Sequence, residues 1–204
     1  MGYNVGIIPA AGKAQRFGGT MKELLPARDG VSLLVHAVKR LSLCQAVVVI
    51  TNPDKIAEHA KALANEQVIF IMQRSTRDIL GAILSGMEVK GDRYYFTMPD
   101  TWMRPDVFLD DPGSTFALGV FDTDKPERFG IVRNGWVVNK AAGNPGQAWG
   151  VLAWDKSTRV FWDYADTYTS GINTCMAYCD YRTWNIGDYF DNASVNDYIG
   201  FLNA

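Results

Sequence analysis

The sequence predicts an α/β fold in which a mostly parallel sheet is covered by helices on both faces. Three observations carry the prediction. Short runs of β-branched and aromatic residues alternate with segments whose apolar positions recur at helical spacing. The runs are continuous rather than alternating in polarity, as expected of strands buried on both faces. The strand–helix alternation also persists through the first half of the chain, the pattern of parallel strands joined by helices.

Taken in order, Val5–Pro9 is a short apolar run of strand type, and Leu33–Leu43 (LLVHAVKRLSL) is apolar at helical spacing. Ala46–Thr51 (AVVVIT) reads as a strand buried on both faces. Asn52-Pro53-Asp54 opens a helix through Asn65, with proline at an early helical position. Val68–Met72 (VIFIM) is a third buried strand, Ile79–Met87 a third helix, and Tyr94–Met98 (YYFTM) a fourth strand ending at Pro99-Asp100. After residue 110 the pattern changes to short strands at Thr115–Phe121, Phe129–Arg133, Trp136–Lys140 and Trp149–Trp154. Asn134-Gly135 is a strong hairpin signal between two of them. Cys175 and Cys179, if on a strand, share one face, and Ser194–Leu202 reads as a closing helix.

No Ser/Gly-rich linker, repeat or low-complexity stretch divides the chain, so residues 1–204 read as one domain with halves at 1–110 and 111–204. No hexapeptide repeat follows, so no β-helix extension is expected. Net charge is −2 and the pI about 5.7, a balance that gives no long-range attraction for nucleic acid. No apolar run approaches the ~18 residues of a membrane span, and no charged region leads an apolar N-terminal stretch. Three cysteines, an odd number without CxxC spacing, fit a reduced, cytoplasmic setting.

In a parallel sheet, ligands bind beyond the carboxyl ends of the strands. Three polar features fall there: the opening loop, Gln73 and Asp100. The loop lies in Gly6–Pro26, GIIPAAGKAQRFGGTMKELLP. Glycines and cations after a strand suit phosphate, but no G-x-x-x-x-G-K-[ST] spacing occurs, and a G-x-G-x-x-G fingerprint would need glycine at Ala14.

Ala10-Ala11-Gly12-Lys13-Ala14-Gln15-Arg16 and Met21-Lys22-Glu23-Leu24-Leu25-Pro26 instead resemble the A-A-G-x-G-T-R and P-K-x-x-L-P motifs of the sugar-nucleotide pyrophosphorylases. Uridylyltransferases and thymidylyltransferases acting on glucose 1-phosphate are the types resembled. The Pro-Ala-Ala-Gly start is also similar to methylerythritol-phosphate cytidylyltransferases. The resemblance implies a Rossmann-like fold with a smaller β-rich sugar-binding lobe. It implies Mg²⁺-dependent transfer of a nucleoside monophosphate from a nucleoside triphosphate to a sugar 1-phosphate, releasing pyrophosphate. In such a reaction positioning and charge neutralisation dominate.

Family roles carry over residue by residue. Ala10, Ala11 and Gly12 let the backbone approach the nucleotide. Arg16 offers a planar fork to the departing phosphates, and Lys22 a compact charge to the α-phosphate. Gln73 corresponds to a base-contacting glutamine, and Asp100 to a metal-binding aspartate, a hard donor suited to Mg²⁺. Gly130, Asn139, Lys140 and Gly150 correspond to the sugar-phosphate side. Asn185, anchored by Ile186-Gly187, stands at the second metal aspartate, with Asp188 nearby and Asp180 as a further candidate. The chain departs from the family pattern at Ala14, Gln15, Met21, Asp78, Asn139 and Asn185.

His36 and His59 lack metal spacing and read as structural. The aromatic cluster of Trp149, Trp154, Phe161, Trp162, Tyr164 and Tyr168 reads as core or subunit interface, which leaves a homo-oligomer open. The implied partners are a nucleoside triphosphate and a sugar phosphate, with neither nucleic acid nor membrane. Two alternatives stand beside this reading: a cytidylyltransferase for a non-sugar alcohol phosphate, and a catalytically degenerate nucleotide-binding module.

Overall fold

The computed structural model describes residues 2–12, 20–73, 78–140, 145–192 and 194–203. Along the chain the strands and helices are β1 (Asn4–Pro9), α1 (Leu33–Arg40), β2 (Ala46–Thr51), α2 (Ile56–Ala62), β3 (Ile69–Met72), α3 (Asp78–Gly86), β4 (Arg93–Thr97) and β5 (Thr101–Trp102). The second half adds β6 (Phe116–Thr123), β7 (Gly130–Arg133), β8 (Trp136–Asn139), β9 (Gly146–Asp155), α4 (Arg159–Asp163), α5 (Tyr168–Tyr178), β10 (Tyr181–Asn185), β11 (Phe190–Asp191) and α6 (Val195–Asn203).

One mixed sheet runs through both halves in the order β10-β6-β9-β4-β1-β2-β3. Strands β1 to β4 are mutually parallel where they pair, and β10 is parallel to β6. Only β9 runs against this direction along the path, pairing antiparallel with both β4 and β6. The carboxyl ends of β1, β2, β3, β4, β6 and β10 therefore share one edge. The β7–β8 hairpin turns at Asn134 and Gly135, both at positive φ, as the dipeptide predicts, and joins the sheet through Ile131 opposite Ala148.

Helices cover both faces. Leu34, Ala37, Val38 and Leu41 of the α1 segment pack with Ile8 and Val49 on one face. Leu80, Ala82 and Ile83 of α3 and Ile172, Cys175 and Met176 of α5 pack with Val5, Ile7 and Val48 on the other. Fully burying a Leu, Ile, Val or Met side chain of this kind stabilises by roughly 1.5–3 kcal/mol. At the amino edge Arg93 holds Asp111 through two hydrogen bonds, and also Asp155 and the Ser114 carbonyl. No helix among the described residues is long and apolar enough to cross a membrane.

Three expectations change. β3 closes the described sheet and pairs only with β2, leaving Ile69 and Met72 exposed. A continuous apolar run indicates apolar neighbours, not two covered faces. The helix expected from Asn52 begins at Ile56, because Asn52 is used in a turn: its side-chain oxygen accepts from the Asp54 N–H. Residues 168–178 form a helix rather than a strand. Thr167 and Ser170 build a reciprocal capping box at its start, and Gly171 lets the helix lie directly on the Trp162 ring. Cys175 and Cys179 are consequently one helical turn apart, and burial raises both thiols above the ordinary value.

Candidate active site

The carboxyl edge is assembled from segments distant in sequence. Beyond β1, the Ala10 N–H donates to the Ile50 carbonyl at 2.8 Å, which continues the ladder by one residue. The two carbonyls of this floor are then claimed from below: Asn52 Nδ2 donates to Ala11 O at 2.8 Å and Lys55 Nζ to Ala10 O at 3.3 Å. A Cβ added to Gly12 would meet no described atom within 4 Å, so the backbone lies open there.

Lys22 begins a 3₁₀ turn, Lys22–Leu24, closed by the Leu25 N–H on the Lys22 carbonyl at 3.0 Å. Its Nζ lies 2.5 Å from Asp100 Oδ2, and both side chains are mostly buried. The peptide around Asp100 is fixed from three sides. Arg40, fully buried, donates to the carbonyls of Thr101 at 3.0 Å and Met98 at 3.5 Å. Asn192 Nδ2 donates to the Asp100 carbonyl at 3.1 Å. Burial lowers the Arg40 guanidinium to about 10, still well above neutrality.

A second carboxylate stands beside this pair, and it is Asp191. The short β11 pairs antiparallel with β5, placing Asp191 opposite Thr101, next to Asp100 in the chain. Burial first, and then the Asp100 charge, hold the Asp191 carboxyl above its ordinary value, opposed by Arg128 and Lys22. Arg128 reaches Asp191 at 3.0 Å and grips Asp197 of α6 through two hydrogen bonds. The closing helix is pinned to the site further by Tyr198 Oη on the Pro26 carbonyl at 2.7 Å. Arg28 Nε also donates to Phe201 O at 2.8 Å, its guanidinium lying over the Phe201 ring.

Of the residues selected from sequence, the structure brings Ala10, Ala11, Gly12, Lys22 and Asp100 to one edge. Arg16, with Lys13, Ala14 and Gln15, lies outside the described residues. Met21 precedes the Lys22 turn in extended conformation. Gln73 follows β3 and donates through Nε2 to the Asp78 carbonyl at 3.0 Å. Asp78 itself has φ of 47°, in the left-handed region that favours glycine.

On the other side of the site, Asn139 ends β8, and the ring of Tyr168 at the start of α5 packs on Trp149 at 5.9 Å. Lys140 is exposed with φ of 50° and donates its N–H to Phe129 O. Gly130 and Gly150 are both covered by side chains of the chain itself. A Cβ on Gly130 would lie 2.3 Å from Trp149 Nε1, and one on Gly150 2.7 Å from Ile186 and Tyr189. Asn185 Oδ1 accepts from the Gly187 N–H at 2.7 Å, and Asp188 is exposed. Asp180 sits at the opposite edge, its carbonyl accepting from the Phe116 N–H at the start of β6.

Sequence reasoning passes over Asp191 because it anchors the last motif on Ile186-Gly187. Anchoring instead on the closing helix, whose first residue is four positions after Asp191, would select it. Glu23, Asn52, Lys55 and Arg40 are likewise unmarked, since nothing in periodicity says which buried polar groups meet. His59 lies fully buried between Glu23 and Thr51, and no metal-ligand group includes it among the described residues.

Solved structures share this architecture. A UDP-glucose pyrophosphorylase complexed with UDP-glucose superposes with a TM-score of 0.79 at 17% identity, covering 100% of this chain and 98% of that one. The inositol-1-phosphate CTP transferase from T. maritima gives 0.75 at 14%, covering 98% and 94%. HddC from Yersinia pseudotuberculosis gives 0.74 at 15%, covering 98% of each. No curated protein sequence matches the chain. The family is nevertheless decided by sequence: residues 6–108 match the MobA-like NTP transferase domain, and the chain belongs to that nucleotidyltransferase family.

Proposed function

We propose that the protein transfers a nucleoside monophosphate from a nucleoside triphosphate to a sugar 1-phosphate and releases pyrophosphate. The observation that carries this reading is the Lys22–Asp100 pair at 2.5 Å, standing at the same sheet edge as the Ala10–Gly12 floor. A cation for the α-phosphate, a carboxylate for a metal and exposed backbone for the nucleotide are what such a transfer requires. A phosphate oxygen of the acceptor attacks the α-phosphorus, the bond to the β-phosphate bridging oxygen breaks, and pyrophosphate leaves with that electron pair.

Lys22 stabilises charge as it builds on the α-phosphate oxygens, with Asp100 holding its Nζ in place. Arg16 steadies the departing pyrophosphate. Lys140 receives the acceptor phosphate, with Asn139 beside the sugar, whereas Gly130 is covered by Trp149 and Val137. Gln73 and the backbone near Asp78 meet the base.

Asp100 and Asp191 fit Mg²⁺: they are hard oxygen donors brought together by adjacent segments, and the Asp100 charge helps to hold the Asp191 carboxyl above its ordinary value. Among the described residues no group of three or more acidic, His or Cys side chains forms a cage. Mg²⁺ commonly binds through one or two carboxylates plus substrate phosphates and water. When bound it would neutralise the triphosphate and polarise the phosphorus under attack.

A pyrophosphate-release screen with Mg²⁺ tests the reading. UTP, dTTP and CTP are each paired with sugar 1-phosphates, inositol 1-phosphate and other alcohol phosphates. Turnover with a sugar 1-phosphate is the expected result. Turnover confined to CTP with a non-sugar acceptor would make the chain a cytidylyltransferase of the other class. Nucleotide binding without turnover of any pair would remove the enzyme reading altogether.

A further inference from the structure

Beneath the nucleotide floor lie three ionisable side chains that the proposed transfer does not use directly. Glu23 is 4% exposed, Lys55 7% and His59 0%. They meet at one atom: Lys55 Nζ lies 2.6 Å and His59 Nε2 2.9 Å from Glu23 Oε1. His59 Nδ1 is fixed in turn by the Thr51 hydroxyl at 2.9 Å. Lys55 also donates to the Ala10 carbonyl, so one ammonium bridges the floor and the Glu23 carboxylate. Glu23 directly follows Lys22 in the same 3₁₀ turn.

Apolar side chains of matching volume often serve stability as well as a buried charge cluster does. The cluster therefore calls for a reason besides stability, and its connections supply one. Ala10 and Ala11 hang from Lys55 and Asn52 at the end of β2 and the entry to α2. The Lys22 turn hangs from the same Lys55 through Glu23. Floor and cation can shift relative to one another only by breaking bonds that have no water to replace them.

We infer that Glu23, Lys55 and His59 are positioning residues that lock the Lys22 turn and the Ala10–Ala11 floor into one unit, setting where Lys22 Nζ stands against the α-phosphate. This rests on the reading of Lys22 as the α-phosphate cation.

Two variants test it, each made with Lys22 intact and in a K22A background. Lys55→Met removes both bonds of the bridging ammonium. The triple change E23L/K55M/H59L replaces the cluster with apolar bulk and leaves no unpaired charge, so it supplies the readout if the single variant does not fold. With Lys22 intact, each lowers kcat about 10- to 100-fold, as sub-ångström to ångström misplacement does, while KM for the triphosphate moves less than about threefold. In the K22A background the same changes lower kcat by less than about threefold, because the group they position is gone. A loss by the same factor in both backgrounds would make the cluster merely structural and overturn the inference. So would a lowered melting temperature with kcat intact. Equal turnover by wild type and K22A would instead overturn the assignment of Lys22, whatever the cluster variants do.

Discussion

Two regions of the molecule treat buried polar groups in opposite ways. At the carboxyl edge of β1, β2 and β4, Arg40, Glu23, Lys55 and His59 are buried and bonded, mostly to backbone carbonyls or to one another. In the lobe built on β9, α4 and α5, the indole nitrogens of Trp149, Trp154 and Trp162 are buried without a partner among the described residues. Each such N–H costs about 1–3 kcal/mol, which the large apolar area of the ring offsets. Trp154 packs against both Tyr94 and Trp162, and Trp162 against Phe116, so bulk rather than hydrogen bonding holds the lobe. Thr97 Oγ1 and Asn192 Oδ1 are the exceptions on the polar side. One region commits side chains to placing backbone and charge; the other fills space. Changes in the first should alter rate more than stability, and changes in the second the reverse.

The largest expected effect breaks or sustains the polar side of this contrast at Asp191. Asp191→Asn lowers kcat about 10²-fold and raises the Mg²⁺ concentration needed for half-maximal rate, with a melting temperature close to wild type. Asp188→Asn, exposed and unconnected to Asp100, changes kcat by less than about twofold. Equal losses in the two variants would show that the geometry around β11 misidentifies the second carboxylate. A steady-state Mg²⁺ titration of each decides.

The aromatic side is tested by Gly171→Ala. The new Cβ would lie 2.6 Å from Trp162 Cε3, a rigid ring that cannot swing aside. Overpacking of this kind destabilises by about 1–3 kcal/mol, or about 2–4 °C in Tm for each kcal/mol at this chain length. The folded variant keeps its kcat. Loss of rate without loss of stability would erase the division between the two regions.

The smallest effect is a pH dependence. Burial alone would raise the Glu23 carboxyl, but hydrogen bonds from His59 and Lys55, with the Lys55 charge, outweigh it and hold it below its ordinary value of 4.5. The unfolded chain therefore takes up a proton at Glu23 before the folded one does. Stability from this group is fully present above 4.5 and is lost as pH falls through the depressed folded value. Urea unfolding at pH 7 and pH 4 should show wild type losing more stability on acidification than Glu23→Gln. Parallel losses would mean that the carboxylate is not held as described.

Much of this is legible in the sequence. Ala46–Thr51 reads as a doubly covered strand because burial on both faces leaves no polar alternation, and every residue of β2 is indeed buried. Asn134-Gly135 reads as a turn because both residues tolerate positive φ, which the structure shows. Lys22 and Asp100 are selected from separate motifs, and the structure brings their side chains together at 2.5 Å. By contrast α5 is hidden, since Tyr, Thr, Ser, Gly and Asn are poor helix formers and only a capping box and the Trp162 surface favour the helix. β3 is misjudged because its outer position in the sheet is a matter of strand order.

By itself, then, the sequence determined most local elements of the first half, the parallel direction of the first four strands and, through residues 6–108, the nucleotidyltransferase family. These depend on properties written within a few neighbouring residues: period, turn conformation and charge. Only the tertiary structure decided that Glu23 meets Lys55 and His59, that Arg40 grips the peptides flanking Asp100, and that Asp191 rather than Asn185 comes to stand beside it. Those partners are separated by tens of residues, and each pairing is made by burial that leaves a polar group no water to turn to. Periodicity says which side of an element faces inward; it is silent on which polar group waits there.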